Sequence, residues 1–405
     1  MKSGSAAAVS FPFPVRLITF PLCGFLYTAV LWMMFAFLPV HLKAQGLSDA
    51  MLGTVMGFYS ISALVLMIPL GVLSDRVSPK KVLLAGACLL FLHLAGLRTA
   101  RSGYAFLLLA VLGGLSWAIF QTVLQALFLK VLSPARRGVK IAVFQMGSYL
   151  GFGVGPLLAG TLWGDADYVG MLGFALGGAA VLIVLVLTLQ DSDPIRFNLG
   201  DYREDLRQPR ALAFLVVWLI YATHFGVEQT SYTLLMRHDL GFSNAQVGWS
   251  FLAVGVWMAL MAPVTGRGFD VRQSVIRLLA LGLIVSSVFQ VLTAFARTLP
   301  EMIAVRLLHT TGDVPVILAM GIMTAAFFPQ GRLGGHSAVV YAVRTLGVFA
   351  GNYAAGWVVP LVGYQGTFVA SGTVVFLATL ALLPWIKRVL HMSEPSAPEP
   401  ARPGA

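Results

Sequence analysis

The residues that could do chemistry are ionisable side chains placed inside long apolar stretches. Spacings of three and four put residues on one face of a helix. Two such stripes stand out, one of Tyr221, His224, Glu228 and Tyr232, and one of Arg306, His309 and Asp313. An ionisable group near the middle of a bilayer costs several kcal/mol unless it is paired or hydrated. The two stripes are therefore candidates for a functional site.

Proton binding is the chemistry that these groups favour. Four side chains are candidates for proton exchange near neutral pH: Glu228, Asp313, His224 and His309. The alternative is a static ion pair, in which Arg306 or Arg344 neutralises Asp313. No cation shares the helix face of Glu228, which favours proton exchange there. Both interpretations stay open for Asp313.

Polar and aromatic residues in the apolar stretches are candidates for a ligand cavity. A glutamine facing lipid is costly, and Trp117, Gln121 and Gln125 step by four, as do Gln145 and Tyr149. The full set of cavity candidates is Tyr27, Trp32, Trp117, Gln121, Gln125, Gln145, Tyr149, Tyr221, Tyr232, Arg306, Tyr341, Arg344 and Asn352. This set would suit an amphipathic or aromatic ligand held by stacking and a few hydrogen bonds.

The elements that position these residues are apolar runs long enough to cross a membrane. The chain has 405 residues, 58% of them hydrophobic and only 11% charged, which indicates a polytopic, all-α membrane protein. At roughly 20 apolar residues per span, twelve helices are predicted. They lie at about 16–42, 50–73, 81–98, 103–131, 138–162, 169–189, 211–236, 244–265, 273–296, 299–327, 336–360 and 367–389.

The net charge of +11 does not indicate nucleic-acid binding. The cations lie in short clusters between apolar runs, a pattern typical of loops beside anionic lipid. Most of them fall on one side of the predicted spans, so the positive-inside rule places both termini in the cytoplasm. The two cysteines, Cys23 and Cys88, are expected to be apolar packing residues, with neither a metal site nor a disulfide.

An internal repeat divides the chain into two halves. At a shift of 195 residues, the segment 46–50 meets 241–245, and Gly71 and Asp75 meet Gly266 and Asp270. Two parallel six-helix bundles are therefore expected, with a site between them. The predicted divisions are a cytoplasmic segment 1–15, a first bundle 16–189, a cytoplasmic linker 190–210, a second bundle 211–390 and a disordered tail 391–405.

Two motifs carry a resemblance to a known family. The stretch Gly71-Val-Leu-Ser-Asp75-Arg76-Val-Ser-Pro-Lys80-Lys81, interpreted as a loop, resembles the GxxxDRxxxKK loop of the major facilitator superfamily of secondary transporters. A degenerate copy occurs at the repeat position, with Gly266, Asp270 and Arg272. The stretch around Gly151, Gly155, Pro156 and Gly160 resembles the GxxxGPxxGG element of the exporter branch, although such small residues also serve plain helix packing.

The resemblance implies a bacterial-type transporter of the inner membrane, with twelve helices in two pseudo-symmetric bundles and no enzymatic activity. Alternating access would be controlled by the Gly71–Lys81 loop. The expected partners are a small-molecule substrate, protons and membrane lipids, for a chain that acts as a monomer. No cofactor is expected, and the absence of a GxxxxGK[ST] motif argues against ATP as the energy source.

Three functions are compatible with these features. The first is proton-coupled export of an amphipathic compound, although helix 1 lacks the acid that some multidrug exporters carry there. The second is import of an organic anion by a proton symporter or facilitator, with Arg306 or Arg344 binding the substrate carboxylate. The third is a membrane sensor or scaffold that transports nothing.

Overall fold

A computed structural model describes residues 17–133, 137–162, 168–193, 206–272, 275–329 and 332–391. Within these ranges the chain is helical, without strands. The predicted segment 1–15, most of the linker 190–210 and nearly all of the tail 391–405 lie outside the described residues.

Eleven helices of the described part are long and apolar enough to cross a membrane. The first ten are α1 Thr19–Ala44, α2 Asp49–Arg76, α3 Pro79–Leu97, α4 Gly103–Val131, α5 Arg137–Leu162, α6 Tyr168–Leu187, α7 Pro209–Asp239, α8 Asn244–Arg272, α9 Val275–Thr293 and α10 Leu299–Phe327. Of these, α1 is interrupted by a turn at Ala36–Phe37, and α4 contains a π-helical turn at Phe120–Leu124.

The eleventh helix, Leu333–His391, is two spans in one. It has 59 residues, or roughly 90 Å of helix, about three times the thickness of the hydrocarbon core. Its helical geometry breaks at Gly363, where φ is 70°, a left-handed conformation that glycine adopts without steric cost. We call the two parts α11 (333–362) and α12 (364–391). The prediction of twelve membrane-spanning helices is therefore confirmed.

The prediction of a loop over Gly71–Lys81 is wrong. Helix α2 continues to Arg76 and α3 begins at Pro79, so that the connection is only two residues long. The Ser78 hydroxyl accepts a hydrogen bond from the Lys81 backbone N–H at 3.2 Å. Serine at the N-cap followed by proline in the first turn is a strong helix start. The degenerate copy likewise lies inside a helix, near the end of α8.

The two halves meet along two helix pairs, α2 with α11 and α5 with α8. Near one end of the molecule, a Cβ added at Gly71 would strike Gly334 of α11, and one added at Gly266 would strike Gly138 of α5. The repeat relates Gly71 to Gly266 at a shift of 195 residues, and Gly138 to Gly334 at a shift of 196. The pseudo-symmetry predicted from the sequence is thus present as the same glycine contact made twice.

The opposite ends of these helix pairs also touch. Gly53 of α2 lies against Gly356 of α11, and Gly160 of α5 lies against the backbone of Asn244 at the start of α8. Close backbone contact of this kind requires small residues at the crossing. The halves therefore contact each other at both ends, and any central space lies between these contacts.

Helix α5 also packs tightly on α1 through its predicted glycine motif. A Cβ at Gly155 would meet the Ala29 carbonyl oxygen and, at 2.9 Å, the Met33 backbone nitrogen, both in α1. Gly151, one turn away, meets the same helix. Backbone atoms cannot rotate aside as a side chain can, so substitution at Gly155 must move a helix.

Gly155→Ala is therefore expected to destabilise the protein by about 1–3 kcal/mol, the usual cost of overpacking. The measurement is thermal unfolding of the detergent-solubilised protein. The matched control is Gly177→Ala in α6, where the new Cβ has nothing within 4 Å and no loss is expected. Equal stability of the two variants would contradict this packing.

Candidate functional site

A cavity of about 180 Å³ lies between the halves, midway along the helices. Its wall is built from α1, α4 and α5 of the first half and from α7, α8, α10 and α11 of the second. Of the predicted residues, it contains Trp32, Gln121, Gln145, Tyr149, Glu228, Tyr232, Arg306, Asp313, Tyr341 and Arg344. A second cavity of about 70 Å³ shares Trp32, Gln121 and Arg344 with it and adds Trp117.

The first half contributes amide and aromatic groups. Gln125 is buried behind the wall, where its Oε1 accepts hydrogen bonds from the Tyr341 hydroxyl of the other half and, at 3.5 Å, from Gln145 Nε2. Spacing by four predicted one shared face for Trp117, Gln121 and Gln125. The π-helical turn between the first and last of these changes the register, which is why they reach different places.

The second half contributes the charged groups. Arg306 Nη1 lies 2.6 Å from Glu228 Oε1 and donates a hydrogen bond of 3.1 Å to Gln290 Oε1. Its guanidinium carbon lies 4.9 Å from the centre of the Tyr232 ring, a cation–π distance. Glu228 has no cation on its own helix face, as the sequence indicated, but α10 supplies its partner Arg306 from across the bundle.

Asp313 is held by different groups. The Tyr221 hydroxyl donates to its Oδ1 at 2.5 Å, His309 Nε2 lies 3.0 Å from its Oδ2, and His224 Nε2 lies 3.8 Å from its Oδ1. Within the described residues, the ion-pair contacts of Asp313 come from these histidines. In the described residues, neither Arg306 nor Arg344 lies within ion-pair distance of Asp313, so that the predicted direct ion pair is not seen.

His309 connects the two acids, and its own hydrogen bond fixes where its protons are. Its Nδ1 lies 2.8 Å from the Ser286 carbonyl oxygen, which can only accept, so Nδ1 carries hydrogen. Its Nε2 lies 3.1 Å from Glu228 Oε1 and 3.0 Å from Asp313 Oδ2. A bare nitrogen lone pair would be repelled by two ionised carboxylates at these distances.

Besides the hydrogen on Nδ1, Glu228, His309 and Asp313 are therefore expected to share at least one proton, either on Nε2 or on one of the carboxyl groups. With that proton and the charge of Arg306, the two carboxylates are balanced without any other ion. We call these four residues the proton unit. In it, an oxygen of each acid lies about 3 Å from the same imidazole nitrogen.

Ligand atoms of His224, His309 and Asp313 all lie within 4.8 Å of one another, a spacing that a metal ion could bridge. These three residues are better suited to binding a proton than to binding a metal ion. Asp313 already accepts from Tyr221, and the fixed charge of Arg306 beside Glu228 would repel a dication.

Other predicted residues lie away from the cavity wall. Tyr27 stacks on Phe120 at 4.0 Å inside the first bundle. Asn352 is fully buried and donates to Gln229 Oε1 at 3.1 Å and to Ser60 Oγ at 3.4 Å, so that it joins α11 to α7 and α2. Tyr221, His224 and His309 are buried behind Asp313 rather than open to the cavity.

Two glutamines of the site were not among the predicted residues. Gln229 lines both cavities, and Gln290 is only 1% exposed and accepts from Arg306. Both could have been predicted, because a glutamine facing lipid is costly. Phe152, Phe225 and Phe251 also line the wall, but no sequence signal separates them from lipid-facing phenylalanines.

A separate cluster surrounds Asp75 at the end of α2. Its Oδ2 accepts a hydrogen bond of 2.9 Å from the Gly335 backbone N–H, at the start of α11 in the other half. Lys130, at the end of α4, forms an ion pair with the same carboxylate. Arg76 and Lys81 are exposed, and Lys80 is half-buried. The side chains of Asp270 and Arg272 lie outside the described part of the chain.

Twelve membrane-spanning helices in two related bundles around a polar central cavity define a polytopic membrane transporter. The chain belongs to the Major Facilitator Superfamily, whose sequence profile matches residues 22–234 and 213–404.

The chain is similar to the multidrug resistance protein MdtH of Aeromonas salmonicida, with 29% identity over 267 residues, which cover 64% of this chain and 66% of that protein. Among solved structures, the human organic anion transporter MFSD10 superposes with a TM-score of 0.71 at 20% identity, covering 91% of this chain and 99% of that one. A POT family transporter superposes with a TM-score of 0.74 at 13% identity, covering 93% and 99%. These two likenesses show the fold alone.

Proposed function

We propose that this transporter exports amphipathic small molecules in exchange for protons. The observation that carries the proposal is the proton unit in the wall of the central cavity. Arg306, Glu228 and Asp313 all line the cavity, and Glu228 is the most exposed of them, with 16% of its side chain exposed. Of the two acids, Glu228 is therefore the more accessible to a proton or a substrate in the cavity.

The proposed coupling follows from charge balance. When Glu228 takes up a proton, Arg306 loses its counter-charge. The free energy of substrate binding in the cavity then changes. Substrate and proton thus alter each other's affinity, which reciprocal linkage requires of any coupled transporter. Release of the proton to the opposite side restores the ion pair and completes the exchange.

Two further observations support export. The MdtH relative is named a multidrug resistance protein, although the matched region is about two thirds of its length. The glycine contacts of α5 with α1 involve the stretch that resembles the exporter element.

The cation distribution supports an inner-membrane location with both termini in the cytoplasm, and we propose that the monomer is the working unit.

The test is accumulation in inside-out vesicles under an imposed proton gradient, acid inside. Three dyes of different charge are used: the cation ethidium, the uncharged N-phenyl-1-naphthylamine and the anion 8-anilino-1-naphthalenesulfonate. At least one dye should accumulate above the level in vesicles that lack the protein, and a protonophore should abolish the difference. Accumulation of none of the three, in vesicles that contain folded protein, would count against proton-driven export.

Asp75 is proposed to close the end of the cavity that faces the cytoplasm. The Asp75→Asn variant keeps the shape of the side chain but loses the charge that attracts Lys130 and the N-terminus of α11. We expect transport to fall about tenfold or more while substrate affinity stays within a few-fold of wild type, since Asp75 is remote from the cavity. Lost affinity in a folded variant would contradict this role.

A second candidate function is import of an organic anion, which is favoured by one observation. Arg344 lines both cavities, and its described contact is a ring rather than an acid. Uptake of an organic anion into right-side-out vesicles, driven by an inward proton gradient, would support this candidate over export. A sensor or scaffold predicts binding with no flux in either vesicle orientation.

A further inference from the structure

We propose that Arg344 and Tyr149 form a subsite for the carboxylate or sulfonate group of an amphipathic organic anion. The inference rests on the proposed function, because it specifies which class of amphipathic substrate the central cavity accepts. It assigns the anion to Arg344 and leaves Arg306 with the proton unit.

Arg344 differs from Arg306 in its partners. In the ranges that the structure describes, no carboxylate lies within ion-pair distance of Arg344, whereas Arg306 has Glu228 at 2.6 Å. The Arg344 guanidinium carbon lies 4.9 Å from the centre of the Phe225 ring. No described residue forms a hydrogen bond or ion pair with its N–H groups, and the N–H edge of a guanidinium is the part that binds carboxylates in a bidentate manner.

The other groups near Arg344 are phenols, which are neutral and cannot balance its charge. Tyr341, Tyr221 and Tyr149 are the electrostatic neighbours. Two of them are engaged: Tyr341 donates to Gln125 and Tyr221 donates to Asp313. Tyr149 is different, since its side chain lines the cavity and its hydroxyl makes no hydrogen bond with any described residue.

Tyr149 is only 6% exposed, and a buried hydroxyl without a partner is unfavourable. The same is true of a cation in a confined cavity without a counter-charge. One anionic group on a ligand would satisfy both, with charge-assisted hydrogen bonds from the guanidinium edge and from the hydroxyl. Two independent unsatisfied donors in one cavity wall therefore point to the same ligand chemistry.

The rest of the cavity fits the apolar body of such a ligand. Trp32, Phe152 and Phe251 form an aromatic cluster, with ring centres 4.6 Å apart for Trp32–Phe152 and 5.2 Å for Phe152–Phe251. Both Trp32 and Arg344 line the two adjoining cavities. A flat aromatic ring system therefore has a stacking wall within the same space as the anion subsite.

The experiment measures binding without transport, so that its outcome is separate from that of proton-driven export. Tritiated 1-naphthoate is bound to purified protein and displaced by unlabelled 1-naphthoate or by the uncharged 1-naphthamide of the same shape. We expect the wild type to prefer naphthoate about tenfold or more, the difference that charge-assisted hydrogen bonds make. Equal affinity for the two compounds in the wild type would overturn the inference.

The variants are Arg344→Gln, Arg344→Lys and Tyr149→Phe, with Arg267→Gln as a control, because Arg267 is exposed on α8 outside the central cavity. Arg344→Gln should abolish the preference for naphthoate, Arg344→Lys should retain part of it, and Tyr149→Phe should reduce it. The control should bind as the wild type does. A preference that survives Arg344→Gln contradicts the subsite, even if dyes are exported.

Stability provides a second, independent readout. Because Arg344 has no acidic partner in the described structure, Arg344→Gln should not lower the apparent melting temperature of the ligand-free protein. A large loss of stability, or failure of this variant to fold, would mean that the charge serves the fold and would overturn the inference. Naphthoate should raise the melting temperature of the wild type but not that of Arg344→Gln.

Discussion

Glu228→Gln is expected to abolish the release of protons that substrate addition causes in wild-type protein. Glutamine has the shape of glutamate but cannot exchange a proton near neutral pH. The remaining members of the proton unit that could hold a proton are less accessible, because His309 is fully buried and Asp313, although it lines the cavity, is only 2% exposed. Gradient-driven transport should fall at least tenfold, whereas substrate binding should remain.

The measurement uses weakly buffered, detergent-solubilised protein with a pH indicator, and whichever dye the vesicle assay identifies as substrate. Glu301→Gln is a matched control, since Glu301 is an exposed glutamate that caps the start of α10 and lies outside the cavity. Proton release that is unchanged in Glu228→Gln would show that the coupling assignment is wrong. Proton release lost in both variants would point to an effect on α10 instead.

The two stripes and the repeat could be predicted because each depends on periodicity along one helix or on a comparison of the chain with itself. A step of three or four residues fixes which side chains share a face, and His224 and Glu228 do lie on the side of α7 that faces α10. Which helix stands opposite, and at what rotation, depends on packing between helices far apart in sequence. The pairing of Glu228 with Arg306 was therefore beyond the sequence analysis.

The helix end near Arg76 was mispredicted for a physical reason. Hydropathy falls where a helix leaves the lipid, but the backbone can keep its hydrogen bonds in water, and α2 continues through Asp75 and Arg76. Local signals such as the Ser78 cap then decide the end. The break at Gly363 falls between the predicted helices 336–360 and 367–389, and the two spans join there through one residue with a left-handed backbone.

The largest effect on stability is expected for Arg306→Gln. Arg306 is 4% exposed, and its removal leaves Glu228 ionised without its guanidinium partner. Breaking a buried ion pair by deleting one member typically costs about 3–5 kcal/mol. The apparent melting temperature should therefore fall more than in any other variant considered, with part of the loss recovered at acidic pH, where a protonated glutamic acid needs no counter-charge.

The double variant Arg306→Gln with Glu228→Gln separates this electrostatic effect from simple loss of packing. If the cost comes from the uncompensated carboxylate, neutralising Glu228 in the same protein should restore much of the stability, so that the double variant unfolds at a higher temperature than Arg306→Gln alone. Effects of residues without direct contact add. Strict additivity of the two substitutions would therefore mean that the ion pair contributes nothing to the folded protein. The proton unit would then be held together by His309 alone.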